Sequence, residues 1–377
     1  MIDYLKSLIG VIIFSCRRWA CTLAWTSIKI KQYPMVRRLG RCGFTSNELC
    51  QPAKGDYYAI LATMGNNYIE DGFFDLLGIL RDFDINPIIV INRKIDEESF
   101  KKLSSRAHRI ITRPNFGRDM GAFKEASLYL YDQKISPARL LYFNDSLIYL
   151  DSDGLREMVK SLLVSSSDVL GATQSFERYY HIGSFIFSLS RKAFEHPQTK
   201  TFWENYRQYN LRPHSILKGE LGFSRWMQKQ GFLLDAIYQP ERLMHEVNSL
   251  TQEELLKRFI YVRPSYRSAL TCLLATFSNF TCPPEIIRQS AVALLLSGGT
   301  HSQVHNYFGL FYNILRLPII KKDIIYRGIF TEPELSLILN DLPQERKHEI
   351  FKILNNRGIE SEKTGLKTFF SRALMLE

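Results

Sequence analysis

Between Tyr57 and Thr173 the chain alternates short apolar runs with segments of helical period, and that alternation leaves few folds open. Residues 57–62 read as a first strand. Residues 72–83 read as a helix, with Phe73, Leu76, Leu77 and Leu80 at helical spacing. Residues 87–91 are a continuous apolar run, as in a strand buried on both faces. Helices follow over 97–106, 119–131 and 153–165, the last capped by Asp151 or Ser152, and strands over 109–112, 140–143 and 169–173. Strands alternating with helices of this length predict an α/β layer with parallel pairing.

Sheets of that kind bind ligands at the carboxyl edge of their strands. Two polar loops fall there. The first, Arg113-Pro-Asn-Phe-Gly-Arg-Asp-Met-Gly-Ala-Phe-Lys124, opens a helix; the second, Asn144-Asp145-Ser146, ends an apolar strand. Asp145 is the candidate for metal binding and, with Glu220, for catalysis. A carboxylate there suits Mg²⁺ or Mn²⁺ bridging two phosphates. Asn144 and Ser146 could orient a sugar or ribose, although all three residue types are also common turn formers.

In the first loop Gly117 permits a tight backbone, and Arg118 could grip a phosphate in bidentate fashion. Asn115, Asp119 and Lys124 complete the candidate substrate-binding set. Asp119 has a second reading as the N-cap of the following helix. Lys124, five residues on, is off that helix face and also reads as a solvated charge. The positive end of the helix itself favours an anionic ligand.

His181 and Gly183 lie in an extended segment over 179–187. A histidine there is more often structural than ligand-binding. Glu220 opens a helix after Lys218-Gly219, where an acid is favourable in its own right. As a functional residue it is the candidate base that deprotonates an acceptor hydroxyl. Taken together, the two loops read as a sugar-nucleotide site and the chain as a glycosyltransferase.

Other chemistries find little support. There is no GxxxxGK[ST] loop, no GxGxxG after the first strand, and no HExxH or GxSxG. The six cysteines show no paired CxxC spacing, which argues against zinc; they fit thiols in a reducing cytoplasm, with one disulfide, Cys272 to Cys282, left open. The net charge is +11, and residues 1–43 carry eight basic side chains against Asp3 alone. A basic excess confined to a tail favours an anionic membrane surface over nucleic acid, which would more often meet basic residues spread across the folded body. The apolar run 8–14 falls short of a spanning helix, and two arginines stand where a signal-cleavage site would be. Trp19 and Trp25 beside arginines suit a helix lying in the membrane interface, or one packed on the body of the protein.

With 377 residues, 45% of them hydrophobic, the chain should divide into two or three lobes. The division expected is a basic amphipathic segment over 1–43, an α/β domain over 44–248 beginning with a polar linker to residue 56, and a helical lobe over 249–377. Within that lobe helices are expected over 252–259, 285–296 and 332–356, the last stopped by Gly358. No residue of that lobe stands out for chemistry.

The chain resembles the rhamnan synthesis protein F family, bacterial glycosyltransferase-like proteins of polysaccharide and lipopolysaccharide assembly. The resemblance lies in Asn115-Phe-Gly-Arg-Asp-Met-Gly-Ala-Phe-Lys124, Leu141-Tyr-Phe-Asn-Asp-Ser146, His181-Ile-Gly-Ser-Phe185 with Phe202-Trp203, and Glu220-Leu-Gly-Phe-Ser224 ahead of Gly231-Phe232. Their order and spacing match over roughly 57–245. The resemblance implies a GT-A-like, Rossmann-type nucleotide-sugar fold, with Asp145 where that fold carries its DxD carboxylates. Only one acid stands there, so dependence on a divalent cation is left open. A nucleotide-sugar donor, dTDP-rhamnose among the choices, and a lipid-linked or polysaccharide acceptor are the implied partners. The resulting expectation is a transferase on the cytoplasmic face of the cell membrane, without a nucleic-acid partner. The competing expectation is a catalytically silent glycan-binding or scaffold subunit.

Overall fold

The computed structural model describes residues 2–63, 69–92, 95–150, 152–278, 284–298 and 302–356. Its strands are β1 (Ser46–Leu49), β2 (Tyr57–Thr63), β3 (Ile85–Ile91), β4 (Arg109–Thr112), β5 (Arg139–Asn144), β6 (Leu147–Tyr149), β7 (Val169–Ser175), β8 (His181–Ile182), β9 (Ile186–Ser190), β10 (Leu234–Tyr238) and β11 (Ile319–Lys321). The main sheet runs β1-β4-β3-β2-β5-β9-β7-β10, with β8 paired to β7, and β6 and β11 form a separate two-stranded ribbon. The strands β2 to β5 are parallel, β9 runs against both neighbours, and β10 is parallel to β7. The α/β class expected from the sequence is the class observed.

Successive strands build outward from β2 through β3 to β4, and the chain then returns to the other side of β2 to lay down β5. The carboxyl ends of β2 and β5 therefore flank the point where strand order reverses, the usual ligand crevice of such sheets.

The early helices are α1 (Ile2–Leu39), α2 (Asp71–Asp82), α3 (Glu97–Ser104), α4 (Arg118–Asp132) and α5 (Ser152–Val164). Both faces of the sheet are covered. Along β2, Ala59 and Leu61 join the core on one face, and Tyr58, Ile60 and Ala62 join that on the other. This division with a period of two explains why the whole strand is apolar. On the face shared by α4, Tyr142 stacks on Phe187 with ring centroids 4.3 Å apart, and Phe123 meets Tyr142 edge-on at 5.2 Å.

Three expectations need correction. The polar linker expected over 44–56 contains β1, which pairs antiparallel with β4. An edge strand gains its register from backbone bonds and shows little apolar signal. The helix expected over 332–356 is two helices, Glu332–Ile338 and Gln344–Asn355, interrupted before Pro343, whose ring disfavours helix in the preceding residue. The C-terminal segment is mainly helical, as expected, yet it is no independent lobe: Phe308, Phe311, Ile350 and Leu354 belong to the same core as Leu61, Leu77 and Phe143. The expected roles of Asp151, Gly358 and Cys282 lie outside the described residues. Among the described residues the cysteines are thiols.

The N-terminal segment forms one helix of 38 residues, about 57 Å long. From Ser15 onward its two faces differ. Cys21 and Leu39 are buried. Between them Gln32 binds Asn210 reciprocally, its Oε1 accepting from the Asn210 N–H at 2.8 Å and its Nε2 donating to the Asn210 carbonyl at 3.3 Å. Beyond the helix Arg41 pairs with Asp132 at 2.7 Å. On the other face Trp19 and Leu23 are 70% and 67% exposed, with Ile30 and Tyr33 continuing the helical stripe. Exposed Arg18, Lys31, Arg37 and Arg38 accompany it. No helix of the described residues is long and apolar enough to cross a membrane.

Candidate active site

The loop that follows β4 is shaped by a buried charge pair. Arg113 and Glu125 are both fully buried, with Nε donating to Oε2 at 3.0 Å and Nη2 to Oε1 at 2.8 Å. Gln208 closes the network, accepting from Arg113 Nη2 and donating to Glu125 Oε1, each at 2.8 Å. A buried ion pair needs this many partners to offset desolvation. The glycines answer to the same network. A Cβ on Gly117 would lie 2.6 Å from Gln208 Cβ, and one on Gly121 2.8 Å from Gln208 Oε1.

Gly117 is also the N-cap of α4, at φ +81°, and Arg118 follows at φ +57°. A non-glycine residue in the left-handed region is held there by its surroundings, a common mark of functional sites. The cap expected at Asp119 is therefore corrected to Gly117. Asp119 sits in the first turn, where its Oδ1 accepts from the Met120 N–H at 2.9 Å. The side chain of Arg118, a partly buried residue, makes no hydrogen bond or ion pair with the other described residues, and Asn115 is exposed.

Asp119 is the link to the second loop. Its Oδ2 accepts from Asn144 Nδ2 at 3.0 Å, although β4 and β5 are separated by two strands. Asn144 Oδ1 accepts from Ser146 Oγ at 2.7 Å and from the Ser146 N–H at 3.2 Å. The Asn144 amide thus holds the geometry of its own loop. The Asn144 N–H donates to the Phe185 carbonyl at 3.0 Å, joining the third motif. Asp145, between them, is partly buried.

The fourth motif arrives through a π-helical turn, Ser215–Glu220, that leads into helix Leu221–Lys229. Its close approach to α4 depends on Gly219, where a Cβ would lie 2.7 Å from Met120 Cγ. Glu220 Oε2 accepts from Ser184 Oγ at 2.5 Å and from the Ser184 N–H at 3.1 Å. Its Oε1 lies 3.5 Å from His181 Nε2, and His181 Nδ1 lies 2.9 Å from the Tyr179 carbonyl. Burial alone would raise the Glu220 carboxyl, but the hydrogen bonds from His181 and Ser184 outweigh it and hold it below its usual value. Burial would lower His181, yet Glu220 and the Tyr179 carbonyl raise it above the ordinary imidazole value. Each partner thus favours the charged form of the other.

Two candidates fall away from the site. Lys124 is 4% exposed and donates to the carbonyls of Tyr206 (2.7 Å) and Glu204 (3.4 Å), tying α4 to the end of helix Pro197–Asn205. Gly183 has a packing reason, since a Cβ there would meet Phe185 Cε1 at 2.7 Å.

One site residue escaped sequence reasoning. Ribbon strand β11 pairs antiparallel with β6, bringing Lys321 opposite Leu147. Lys321 Nζ donates to Ser146 Oγ at 3.3 Å and lies 4.1 Å from the centroid of the Phe185 ring. The next residue, Lys322, pairs with Glu70 at 2.6 Å. A three-residue strand has too short a period to be read from sequence, and its partner lies more than 160 residues upstream.

The fit of a divalent cation can be judged from these donors. Among the described residues no group of three His, Cys, Asp or Glu side chains could hold a metal ion. Asp119 already accepts two hydrogen bonds, and Glu70, the acid whose charge is felt with that of Asp145, is ion-paired. Among the described residues the donor set offers few available carboxylates and has the Lys321 ammonium beside it, so it does not fit a metal held by the protein.

Residues 87–261 match the family model for rhamnan synthesis protein F, the family that the motifs resemble. Over 214 residues the chain is 27% identical to uncharacterized protein y4gN of Sinorhizobium fredii, a match that spans 55% of this chain and 55% of that relative's length. Among solved structures it is similar to mannosyltransferase PcManGT from Pyrobaculum calidifontis, in complex with GDP-Man and Mn²⁺: 9% identity, 92% of this chain and 99% of that one, TM-score 0.29. A second is described as mannose-1-phosphate geranyltransferase from Thermus thermophilus: 13% identity, 40% of this chain and 64% of that one, TM-score 0.29.

Proposed function

We propose that this chain, matched over residues 87–261 by rhamnan synthesis protein F, is a glycosyltransferase that moves a sugar from a nucleotide-sugar donor to a bacterial surface glycan. The observation that carries the reading is the convergence of all four motifs on the carboxyl edge of the sheet, through Asp119 to Asn144 and Ser184 to Glu220. Rhamnose is one donor sugar that the family description favours.

In this reading the donor diphosphate lies against the amino end of α4, where unpaired N–H groups and the helix dipole favour anions. Arg118, with its guanidinium open, grips a phosphate. Asp145 and the Ser146 hydroxyl face the donor, and Asn144 and Asp119 hold that loop in place. Glu220 is ionised at neutral pH, as a base must be before it accepts a proton from the acceptor hydroxyl. Ser184 and His181 fix its orientation. The hydroxyl oxygen then attacks the anomeric carbon in line, and the charge on the departing diphosphate is the main electrostatic task.

The exposed stripe of α1, apolar and accompanied by arginine and lysine, supports docking on an anionic membrane surface, next to a lipid-linked acceptor. Co-sedimentation with phosphatidylglycerol vesicles tests this. Replacing Trp19 and Leu23 with serine should abolish binding, and retained binding would refute the role of the stripe.

The scarcity of available carboxylates favours one second reading, a silent glycan-binding subunit. Calorimetry of the full chain with a panel of nucleotide sugars separates the two. Binding of one donor, weakened by Asp145→Ala, supports the transferase. No binding by any donor moves the reading to the silent subunit.

A further inference from the structure

Resting on the nucleotide-sugar reading, we propose that Lys321, supplied by the C-terminal third of the chain, neutralises the donor diphosphate in place of a divalent cation. Three observations carry this.

The first is position. The β6–β11 ribbon carries Lys321 Nζ to Ser146 Oγ at 3.3 Å, directly after the single acid of the Asn144-Asp145-Ser146 loop. The ribbon is well anchored: the Lys322 N–H donates to the Ser146 carbonyl at 3.0 Å, the Leu150 N–H to the Pro318 carbonyl at 2.9 Å, and Lys322 pairs with Glu70.

The second is unfilled valence. An ammonium group has three N–H donors. Among the described residues the Lys321 ammonium makes one long hydrogen bond and rests on the Phe185 ring, with no carboxylate within salt-bridge distance. Burial pushes its pKa down, partly countered by Asp323, Glu220 and Asp119. A partly desolvated cation with donors to spare is strongly stabilised by an arriving dianion, and lysine serves phosphate as a point charge.

The third is what surrounds it. The acids that could have completed a metal site are engaged, Asp119 with Asn144 and Met120, and Glu70 with Lys322. Where a metal-bridged site would gather acids, this one presents Lys321 beside Ser146.

The experiment is calorimetric titration of the full chain with GDP, UDP and dTDP, in EDTA and in Mn²⁺. It is repeated with the matching monophosphates, and with Lys321→Gln and Lys321→Arg. The preferred diphosphate should bind the wild type equally in both buffers, to within about threefold. Lys321→Gln should weaken it about 10- to 100-fold, the size of a lost charged contact, and should weaken the monophosphate less. Lys321→Arg should keep most of the affinity, and its melting curve identifies any loss due to misfolding. Diphosphate binding that requires Mn²⁺ and survives Lys321→Gln overturns this proposal while leaving the nucleotide-sugar reading intact. Failure of the wild type to bind any of the three diphosphates in either buffer overturns that reading, and this proposal with it.

Discussion

Asn144 donates its side-chain N–H to Asp119 at 3.0 Å, so the loop after β5 is fastened to the first turn of the helix after β4. Neither side chain is free to act alone. Asp119→Ala should leave the Asn144 amide without its acceptor and let the Asp145 loop relax. The expected cost is about 1.5–3 kcal/mol in urea denaturation, the range for a hydrogen bond to a charged group. Donor affinity should fall about tenfold with it, by the same positioning argument. Unchanged affinity in a well-folded variant would show that the loop is held by other contacts.

His181 and Glu220 should titrate as a pair. The raised His181 contributes stability that is complete below its unfolded pKa and is lost as pH rises through its folded value. The lowered Glu220 contributes stability present above its unfolded pKa and lost as pH falls through its folded value. The pair is therefore fully formed between those limits. Proton NMR should place the His181 midpoint above that of an ordinary imidazole, about 6.5. In Glu220→Gln burial becomes the main influence, and the midpoint should drop below that of the wild type.

Arg113 tests the scaffold beneath the site. Arg113→Met strands the Glu125 carboxylate in a fully buried position and should cost about 3–5 kcal/mol in chemical denaturation. The double variant with Glu125→Met should recover much of that loss, because it removes the uncompensated charge. A double variant as unstable as the single one would mean that Gln208, not the charge pair, dominates the network.

His214 sets an acid limit on the fold. Burial lowers it to about 4, its Nε2 lies 2.7 Å from the Arg207 carbonyl, and its Nδ1 has no hydrogen-bond partner among the described residues. The unfolded chain then binds the extra proton first, so stability should fall as pH drops from about 6.5 to 4, by on the order of 3 kcal/mol. His214→Gln should flatten that limb in thermal melts taken across the range. An unaltered slope would assign the acid sensitivity to other groups.

The parallel strands β2, β3 and β5 were legible because they are buried on both faces and carry long apolar runs, whereas β10, half-buried and interrupted by Asp235, was not. Residues 109–112 were expected and found as β4, and 87–91 extended by only two residues at its start. The meeting of the 113–124 and 144–146 loops followed from that sheet alone. The edge strand β1 and the ribbon were not legible, since polar edge strands and three-residue strands carry almost no periodicity. The partners of Asn144 and the burial of Lys124 were not legible for another reason. Residue type reveals capacity for a hydrogen bond, but only the fold shows which partner has already taken it.

The ribbon also fixes when the site can exist. Ser146 and Lys321 are 175 residues apart, and ribosomes add roughly 5–20 residues per second, so about 9–35 s separate their synthesis. A nascent chain can complete the parallel strands of its sheet in that interval, while the edge beside Asp145 still lacks its lysine. The sheet is made early, and the contact that closes its working edge waits for residues made long after it.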